Sequence, residues 1–246
     1  MRRVASIRGA VAWLDRVGLA LLFPKDDLVL PSLWEAVAGE TETTWAVRED
    51  DGTFVSFTPE MDRVWSWKDE LPAQRLACVG KHVRGRVALV SLDLLPALYA
   101  LRDEEPREDL ERDLLAVVEA EGPCTVQDLR DALPHHDGKR VPAAADRLQR
   151  RMVLTSAGLE RRDRGWSAVM VDTVARRYAD RLRTLPAEGE ARRAIAARLL
   201  AAAGELSAVD VTGALGWRKA AALEALDSLD AERVDEDGVV IWKARR

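Results

Sequence analysis

The most constraining feature of this sequence is an order of predicted elements that occurs twice in succession. Each copy has a long stretch with helical apolar periodicity, a short capped helix, a third helix and two strands around a turn. The predicted caps of the short helices, Thr125 and Ser207, are 82 positions apart. Thr125 is followed three residues later by Asp128, which is close to a capping box. The last turn, EDG at 236–238, is a strong hairpin signal.

Three helices followed by a β-hairpin are typical of a winged helix, a helix-turn-helix with a wing. Because the order occurs twice, the interpretation is firmer than either copy alone would allow. We therefore predict an α+β fold, mainly α with small β-hairpin wings, built from tandem winged-helix repeats.

The N-terminal region is less regular. Residues 7–23 and 31–39 have helical patterns, and the alternating segment 43–57, TTWAVREDDGTFVSF, predicts a hairpin. Helices before a hairpin fit a third, divergent winged helix. Residues 63–91 are then predicted to be added β or loop structure.

Two charged, Pro-containing stretches, residues 102–108 and 184–190, interrupt the apolar periodicity. They divide the chain into three predicted domains. These are a divergent N-terminal winged helix with added β or loop structure (1–104), a middle winged helix (105–184) and a C-terminal winged helix (185–246).

Composition excludes some classes of protein. A chain of 246 residues buries enough apolar surface to fold without metals or disulfides. The two cysteines, Cys78 and Cys124, have no metal-like spacing, which favours a reducing, cytoplasmic location. Charged residues interrupt the apolar N-terminal stretch, so we expect no signal peptide and no membrane span. The net charge of −5 argues against general nucleic-acid packaging but allows a local basic face.

Metal and cofactor motifs are sparse. His135 and His136 stand beside Asp137 in a predicted loop, but no further ligand follows at a defined spacing. No Gly-rich phosphate-binding loop occurs. The sequence therefore predicts neither a metal site nor a cofactor.

Three blocks of sequence carry a family resemblance. They are residues 21–39, LLFPKDDLVLPSLWEAVAG; residues 64–86, VWSWKDELPAQRLACVGKHVRGR; and residues 165–178, GWSAVMVDTVARRY. In these blocks and in element order the chain resembles the AlkZ/YcaQ superfamily of bacterial DNA glycosylases, and more closely its shorter AlkZ-related group. The resemblance implies a concave DNA-binding surface of tandem winged helices. It also implies excision of alkylated or crosslinked bases without metal or cofactor, by members with an early Gln-x-Gln or Gln-x-Asp motif that positions water.

The chain departs from that catalytic pattern. Its three glutamines, Gln74, Gln127 and Gln149, form no such motif, and residues 18–27, GLALLFPKDD, stand near the expected place. A substitute would have to activate water and stabilise a developing positive charge. By position the candidates for that role are Asp26, Asp27, Asp69 and Glu70. Adjacent lysines favour the alternative that these carboxylates are simply solvated.

Residues 63–86 hold six Lys and Arg residues against two acids, enough for a basic face in an acidic protein. Trp65 and Trp67 could stack on unpaired bases while the cations hold phosphates. If they lie two apart on a strand, however, they share one face and pack in the core. The predicted DNA-binding residues of this region are Arg63, Lys68, Lys81, Arg84 and Arg86.

The middle repeat has a second basic region on its predicted third helix and wing, the parts of a winged helix that contact DNA. The alternative is a solvated arginine-rich helix. The predicted DNA-binding residues are Lys139, Arg140, Arg147, Arg150, Arg151, Arg161, Arg162 and Arg164.

The corresponding part of the last repeat, residues 218–237, has seven acids against three basic residues, so phosphate would repel it. It is predicted to stabilise the array or to meet a protein partner. The sequence thus predicts a protein that binds double-stranded DNA in DNA repair or damaged-DNA recognition, without the glycosylase motif. Two alternatives stay open: an active glycosylase with a different carboxylate, and a protein-interaction scaffold.

Overall fold

The computed structural model of the protein describes residues 3–103, 105–161 and 167–245. Within these ranges no helix combines the length and the apolar character that crossing a membrane requires.

The same order of elements occurs three times along the chain. The first unit consists of α1 (Ile7–Val17), β1 (Leu19–Leu21), α2 (Leu33–Ala38), β2 (Ala46–Arg48), β3 (Phe54–Phe57), α3 (Pro59–Ala73), β4 (Cys78–Val83) and β5 (Arg86–Val90), and is followed by α4 (Leu95–Ala100). The second consists of α5 (Asp109–Glu121), β6 (Cys124–Thr125), α6 (Val126–Ala132), α7 (Val141–Arg150), β7 (Leu154–Glu160) and β8 (Ala168–Thr173), and is followed by α8 (Val174–Arg177). The third consists of α9 (Glu188–Ala203), β9 (Glu205–Ser207), α10 (Ala208–Leu215), α11 (Lys219–Asp227), β10 (Ala231–Glu236) and β11 (Val239–Ala244).

Each unit has one small antiparallel sheet with the same strand order. The short first strand pairs with the last strand of a hairpin, which gives the orders β1-β5-β4, β6-β8-β7 and β9-β11-β10. The first unit alone of the three also has a two-stranded sheet, β2-β3, inserted between its second and third helices.

Local sequence explains where the second helix of each unit begins. Ser32, Thr125 and Ser207 are the N-caps of α2, α6 and α10, and each side chain accepts a hydrogen bond from the backbone N–H three residues on. The carboxylate of the acidic residue at that third position accepts a hydrogen bond from the cap's own N–H, so all three are capping boxes. The same chemistry therefore starts the same helix in all three units.

The structure corrects two predictions for the first unit. The hairpin predicted at 43–57 does form, as β2 and β3, but it precedes the third helix, and β4–β5 closes the unit. The first half of residues 63–91 is not β or loop structure, because helix α3 extends to Ala73. Thr58 caps this helix and Pro59 occupies its first turn, which together are a helix start signal. The alternation of Trp65 and Trp67 suggested a strand instead.

Two of the three hydrophobic cores lie within single units, and one is shared. Trp13, Trp34 and Trp67 belong to a core inside the first unit, and Leu114 and Leu148 to one inside the second. The shared core extends from Leu95 and Tyr99 in α4 to Ile195 and Trp242 in the third unit. The first and third units are therefore joined by apolar packing.

The first and second units are joined by hydrogen bonds to an edge strand as well as by apolar packing of Met152, Val174 and Tyr178 in the shared core. Strand β4 lies at the outside of its sheet, where backbone groups lack a strand partner. The Thr155 hydroxyl donates to the carbonyl of Val79 at 2.8 Å, and the N–H of Lys81 donates to Gln149 Oε1 at 3.1 Å. Side chains of the second unit thus satisfy the exposed edge of the first.

The neighbouring C-terminal end of α3 is satisfied in the same way. The Tyr178 hydroxyl donates to the carbonyl of Ala77 at 2.6 Å. The buried Arg177 guanidinium donates to the carbonyls of Pro72 and Ala73 in the last turn of the helix. These bonds fix the end of α3 against the second unit.

His82, near the end of β4, lies at the centre of this interface. Its Nδ1–H donates to the carbonyl of Gln149 at 2.7 Å, and its Nε2 lies 3.5 Å from the Cys78 sulfur. Burial raises the pKa of Cys78 to about 12, so the sulfur remains a thiol that can donate to Nε2. Burial also lowers the pKa of His82 to about 4, although the bond to Gln149 opposes this shift. His82 is therefore neutral in the folded protein at neutral pH.

We expect His82 to make the fold sensitive to mild acid. In the unfolded chain its pKa is about 6.5, so between pH 6.5 and 4 the unfolded state binds more protons and stability falls as the pH falls. Between pH 7 and pH 5 this costs roughly 1–2 kcal/mol. Urea unfolding at both pH values should show that His82→Asn removes about that much of the acid-induced loss. An identical loss in variant and wild type would contradict the assignment.

Candidate nucleic-acid interface

The two tryptophans of α3 point in different directions. Residues two apart on a helix lie about 200° apart around its axis, so Trp65 and Trp67 do not share the face that a strand would give them. Trp65 is 44% exposed, whereas Trp67 is 7% exposed and belongs to the core of the first unit. Of the two predicted base-stacking residues, only Trp65 therefore presents a ring to solvent.

Trp65 is part of an exposed aromatic cluster that we define as Phe23, Trp45, Trp65 and Lys68. The Trp45 ring meets Trp65 edge-on at 6.3 Å between centroids and lies 5.0 Å from Phe23. Lys68 Nζ lies 4.8 Å from the centre of the Trp65 ring, within cation–π distance. Sequence reasoning missed Trp45. The same segment, 43–57, also leaves Phe54 and Phe57 exposed.

The four candidate carboxylates do not form a common site. Asp26, Asp27 and Glu70 are exposed, and Asp27 lies 3.6 Å from Arg84. Asp69 is buried and pairs with Lys68 at 2.5 Å. Asp69 thus already has a cationic partner, and Asp27 lies beside a cation of the β4–β5 turn.

This β4–β5 turn brings cations of the first two units together. Arg84 and Gly85 have φ angles of 50° and 77°, the left-handed pair that a tight hairpin turn needs. The Arg150 guanidinium of α7 lies against Gly85 so closely that a Cβ atom there would be 2.7 Å from its Nε and Nη2 atoms. Arg86, on the other side of the turn, is exposed. We call Arg84, Arg86 and Arg150 the turn cluster.

Three other predicted DNA-binding arginines of the second unit are ion-paired with its own first helix. Glu111, only 1% exposed, accepts hydrogen bonds from Arg147 Nε at 2.6 Å and from Arg151. Glu108 accepts from Arg140 at 2.9 Å and from Arg147 at 3.0 Å. These pairs hold α7 against the start of α5, and their cations are less available to phosphate.

The pKa values agree with a charged network. Burial alone would raise the pKa of Glu111, but hydrogen bonds from Arg147 and from the Arg107 backbone, with the charge of Arg151, lower it below its ordinary value. The hydrogen bond to Glu111 raises the pKa of Arg147. Glu111 and Arg147 are therefore both charged at neutral pH.

The remaining predicted DNA-binding residues are dispersed. Lys81 pairs with Asp146 at 2.5 Å and Arg63 with Glu60 at 3.7 Å. Lys139 and Arg161 are exposed, and Arg162 and Arg164 lie outside the described residues. The turn cluster is thus the place where described cations from two units meet.

A cavity of about 180 Å³ lies beside the turn cluster, where the three units meet. We call it the junction cavity. Its walls include Leu19, His82 and Arg102 from the first unit and its extension, Arg150 and Arg151 from the second, and Trp217 from the third. Sequence reasoning missed Arg102 and Trp217, because no local pattern marks residues that only the packing of three units brings together.

Two cations of the third unit's sheet have carboxylate partners within the unit. Lys243 lies 2.7 Å from Glu236 and 3.6 Å from Glu205. Arg233 lies 3.8 Å from Asp227 and above the Trp242 ring at 5.6 Å. Its edge strand β10 therefore presents charges of both signs, which discourages pairing with another strand.

Comparison with known proteins gives a family and a fold. Residues 4–212 match the model of the family described as AlkZ related. No curated protein matches the chain. The solved structure of Streptomyces sahachiroi DNA glycosylase AlkZ is similar, with 15% sequence identity and a TM-score of 0.51, over 72% of this chain and 55% of that one. The chain thus spans about half the length of that structure, and the likeness is one of fold.

We expect Glu111 to be far more important for stability than Glu108. Glu111→Gln leaves Arg151, 11% exposed, without its counter-charge and Arg147 with Glu108 alone, which should lower the free energy of unfolding by about 3 kcal/mol. Glu108→Gln, matched in chemistry but 42% exposed, should cost less than about 1 kcal/mol. Urea unfolding at pH 7 measures both. Equal costs would show that the network does not hold α7.

Proposed function

The chain belongs to the AlkZ-related family, and on that premise we propose that it is a DNA-binding protein of DNA repair or damaged-DNA recognition. We propose further that it lacks glycosylase activity of its own. The observation that carries the proposal is the turn cluster, in which cations from two units lie side by side next to the junction cavity.

We interpret the three units as tandem winged helices, with the predicted boundaries 1–104, 105–184 and 185–246. Three helices and a hairpin, with a short strand before the second helix, are the elements of that fold. The third helices are then α3, α7 and α11, and the wings are the hairpins that close each sheet. In this interpretation the turn cluster joins the wing of the first unit to the third helix of the second.

That combination suits a duplex. Wings and third helices are the parts of winged helices that contact the grooves and the phosphate backbone. Arg86 has no ion pair among the described residues, and the pair between Arg84 and Asp27 is exposed and therefore weak. We propose that the turn cluster holds phosphates, with Lys139 and Arg161 extending the contact. Arg162 and Arg164 continue the same basic run in sequence.

The aromatic cluster supports contacts with unpaired or damaged bases. An exposed tryptophan can stack on an unpaired base. Lys68 is only 13% exposed and is paired with Asp69, so the rings carry this contact: Trp65 is exposed, and Trp45 extends the aromatic surface. We propose that these residues contact bases that are not paired within the duplex.

Two observations favour the absence of glycosylase chemistry. The sequence has no Gln-x-Gln or Gln-x-Asp motif, and none of the four candidate carboxylates is among the described residues that line the junction cavity. Excision by one of these carboxylates is the alternative. It would require no metal or cofactor, in keeping with the rest of the superfamily.

The third unit has a different role in this proposal. Its acidic third helix and wing would be repelled by phosphate, and its core is shared with the first unit. We propose that it buttresses the array and offers its outer face to a protein partner. The corresponding alternative is a scaffold that contacts only proteins. For either function we propose a cytoplasmic location.

We expect duplex binding that weakens steeply with salt and depends on the turn cluster. Each phosphate contact that is removed should lower the slope of log K against log salt by about 0.9. Arg86→Gln and Arg150→Gln should each do so in fluorescence anisotropy titrations at several salt concentrations. Arg193→Gln, the same change at an exposed position of α9, should leave affinity and slope unchanged. No binding at low salt would favour the scaffold.

We expect no base release in single-turnover assays on alkylated and crosslinked duplexes. Excision by the wild-type chain, abolished by replacement of Asp26, Asp27 or Asp69 with Asn or of Glu70 with Gln, would overturn the non-catalytic assignment. Anisotropy with the same duplexes checks that each variant still binds, so loss of chemistry is separated from loss of binding.

A further inference from the structure

The fold brings a carboxylate to the histidine pair that the sequence left without further ligands. Asp113, on the second turn of α5, lies next to His135 and His136 in the loop between α6 and α7. Asp113 Oδ2 is 3.2 Å from His135 Nε2 and 2.8 Å from His136 Nε2. One ligand atom from each of the three residues lies within 4.8 Å of the other two.

These distances suit a small tetrahedral metal ion. Bonds of 2.0–2.2 Å from Zn²⁺ to imidazole nitrogen and carboxylate oxygen place neighbouring ligand atoms about 3.3–3.5 Å apart. The oxygen–nitrogen distances of 3.2 and 2.8 Å are shorter than this by roughly 0.1–0.3 and 0.5–0.7 Å, and the two nitrogens lie within 4.8 Å of each other. Rotation of the exposed His135 and partly exposed Asp113 side chains would bring the three atoms to the required spacing. Two imidazoles and one carboxylate also favour zinc and similar transition metals over Ca²⁺ or Mg²⁺, which prefer oxygen ligands.

The loop that carries the histidines is held in place by its own hydrogen bonds. The N–H of His136 donates to the Leu133 carbonyl at 3.1 Å, and Arg130 Nε donates to the Gly138 carbonyl at 3.0 Å. Asp137 accepts from the N–H of Lys139 at 2.9 Å. The histidine backbone is thus positioned before any ion arrives, which lowers the entropic cost of binding.

The exposure of the three side chains is graded. His136 is 19% exposed, Asp113 39% and His135 61%, so the cluster opens to solvent on the His135 side. Three protein ligands with an open side leave room for water as the fourth ligand.

We propose that Asp113, His135 and His136 form a binding site for a divalent transition-metal ion, with Zn²⁺ as the ion and water as its fourth ligand. The ion ties helix α5 to the loop that leads into α7, the helix that carries Arg150 of the turn cluster. The site therefore stabilises the middle unit, and its occupancy is independent of whether the protein binds DNA.

The test uses the full chain without a histidine tag. Equilibrium dialysis should give one Zn²⁺ per chain with micromolar or tighter affinity, and Co²⁺ should give the visible absorption of a tetrahedral complex. Zn²⁺ should also raise the Tm by roughly 5 °C, whereas Mg²⁺ and Ca²⁺ should not. Asp113→Asn and His136→Gln should each weaken Zn²⁺ binding at least tenfold, because each removes one of three ligands.

The matched control is Glu119→Gln, which neutralises an exposed carboxylate on the same helix and should leave Zn²⁺ binding unchanged. Circular dichroism confirms that each variant is folded, and the two ligand variants give independent readings should one of them fail to fold. The proposal is overturned by a wild-type chain that takes up no Zn²⁺ or binds it only at millimolar concentration. Binding that neither ligand variant weakens would overturn it too.

Discussion

The assembly depends on the outer edge of β4. An edge strand presents unpaired backbone groups that must find partners, and in this protein Thr155 and Gln149 of the second unit supply them. Because these bonds fix the register of one unit against the next, they also place the β4–β5 turn next to α7. The turn cluster and one wall of the junction cavity follow from that placement. Buried His82 makes the same interface responsive to protons.

Charge counts along a sequence overstate the positive surface that a helix offers to DNA. Helix α7 and its two cap residues include four arginines. Three of them, Arg140, Arg147 and Arg151, are paired with Glu108 or Glu111. A buried carboxylate needs such partners because an uncompensated charge in the interior is costly. A charge reversal at Arg147 would therefore damage the fold as well as any DNA contact. Arg150 lies against Gly85 of the β4–β5 turn and, within the part of the chain that the structure describes, is not paired with Glu108 or Glu111, so its substitution separates the two effects.

Features of the fold that depend on neighbouring residues could be predicted from the sequence. Features that depend on packing between distant segments could not. The capping residues Thr125 and Ser207 and the repeated helix order could be read from the sequence, because a cap acts within three residues. Helix α3 was misread because Trp65 and Trp67 suggest strand alternation, although Thr58 and Pro59 begin a helix. Similarly, the carboxylate of Asp113 reaches His135 only through the packing of α5 against a loop 22 residues later.

The third unit shares its strand order with the other two units but differs from them in surface charge. Its helix α11 and strand β10 are acidic where α7 is basic. Its inner side, by contrast, is apolar and continuous with the core around Leu95, and Trp217 closes the junction cavity. A negative outer face repels phosphate over about a Debye length, roughly 8–10 Å at physiological salt. Under the proposed function, this repulsion would direct a duplex away from the third unit and toward the turn cluster.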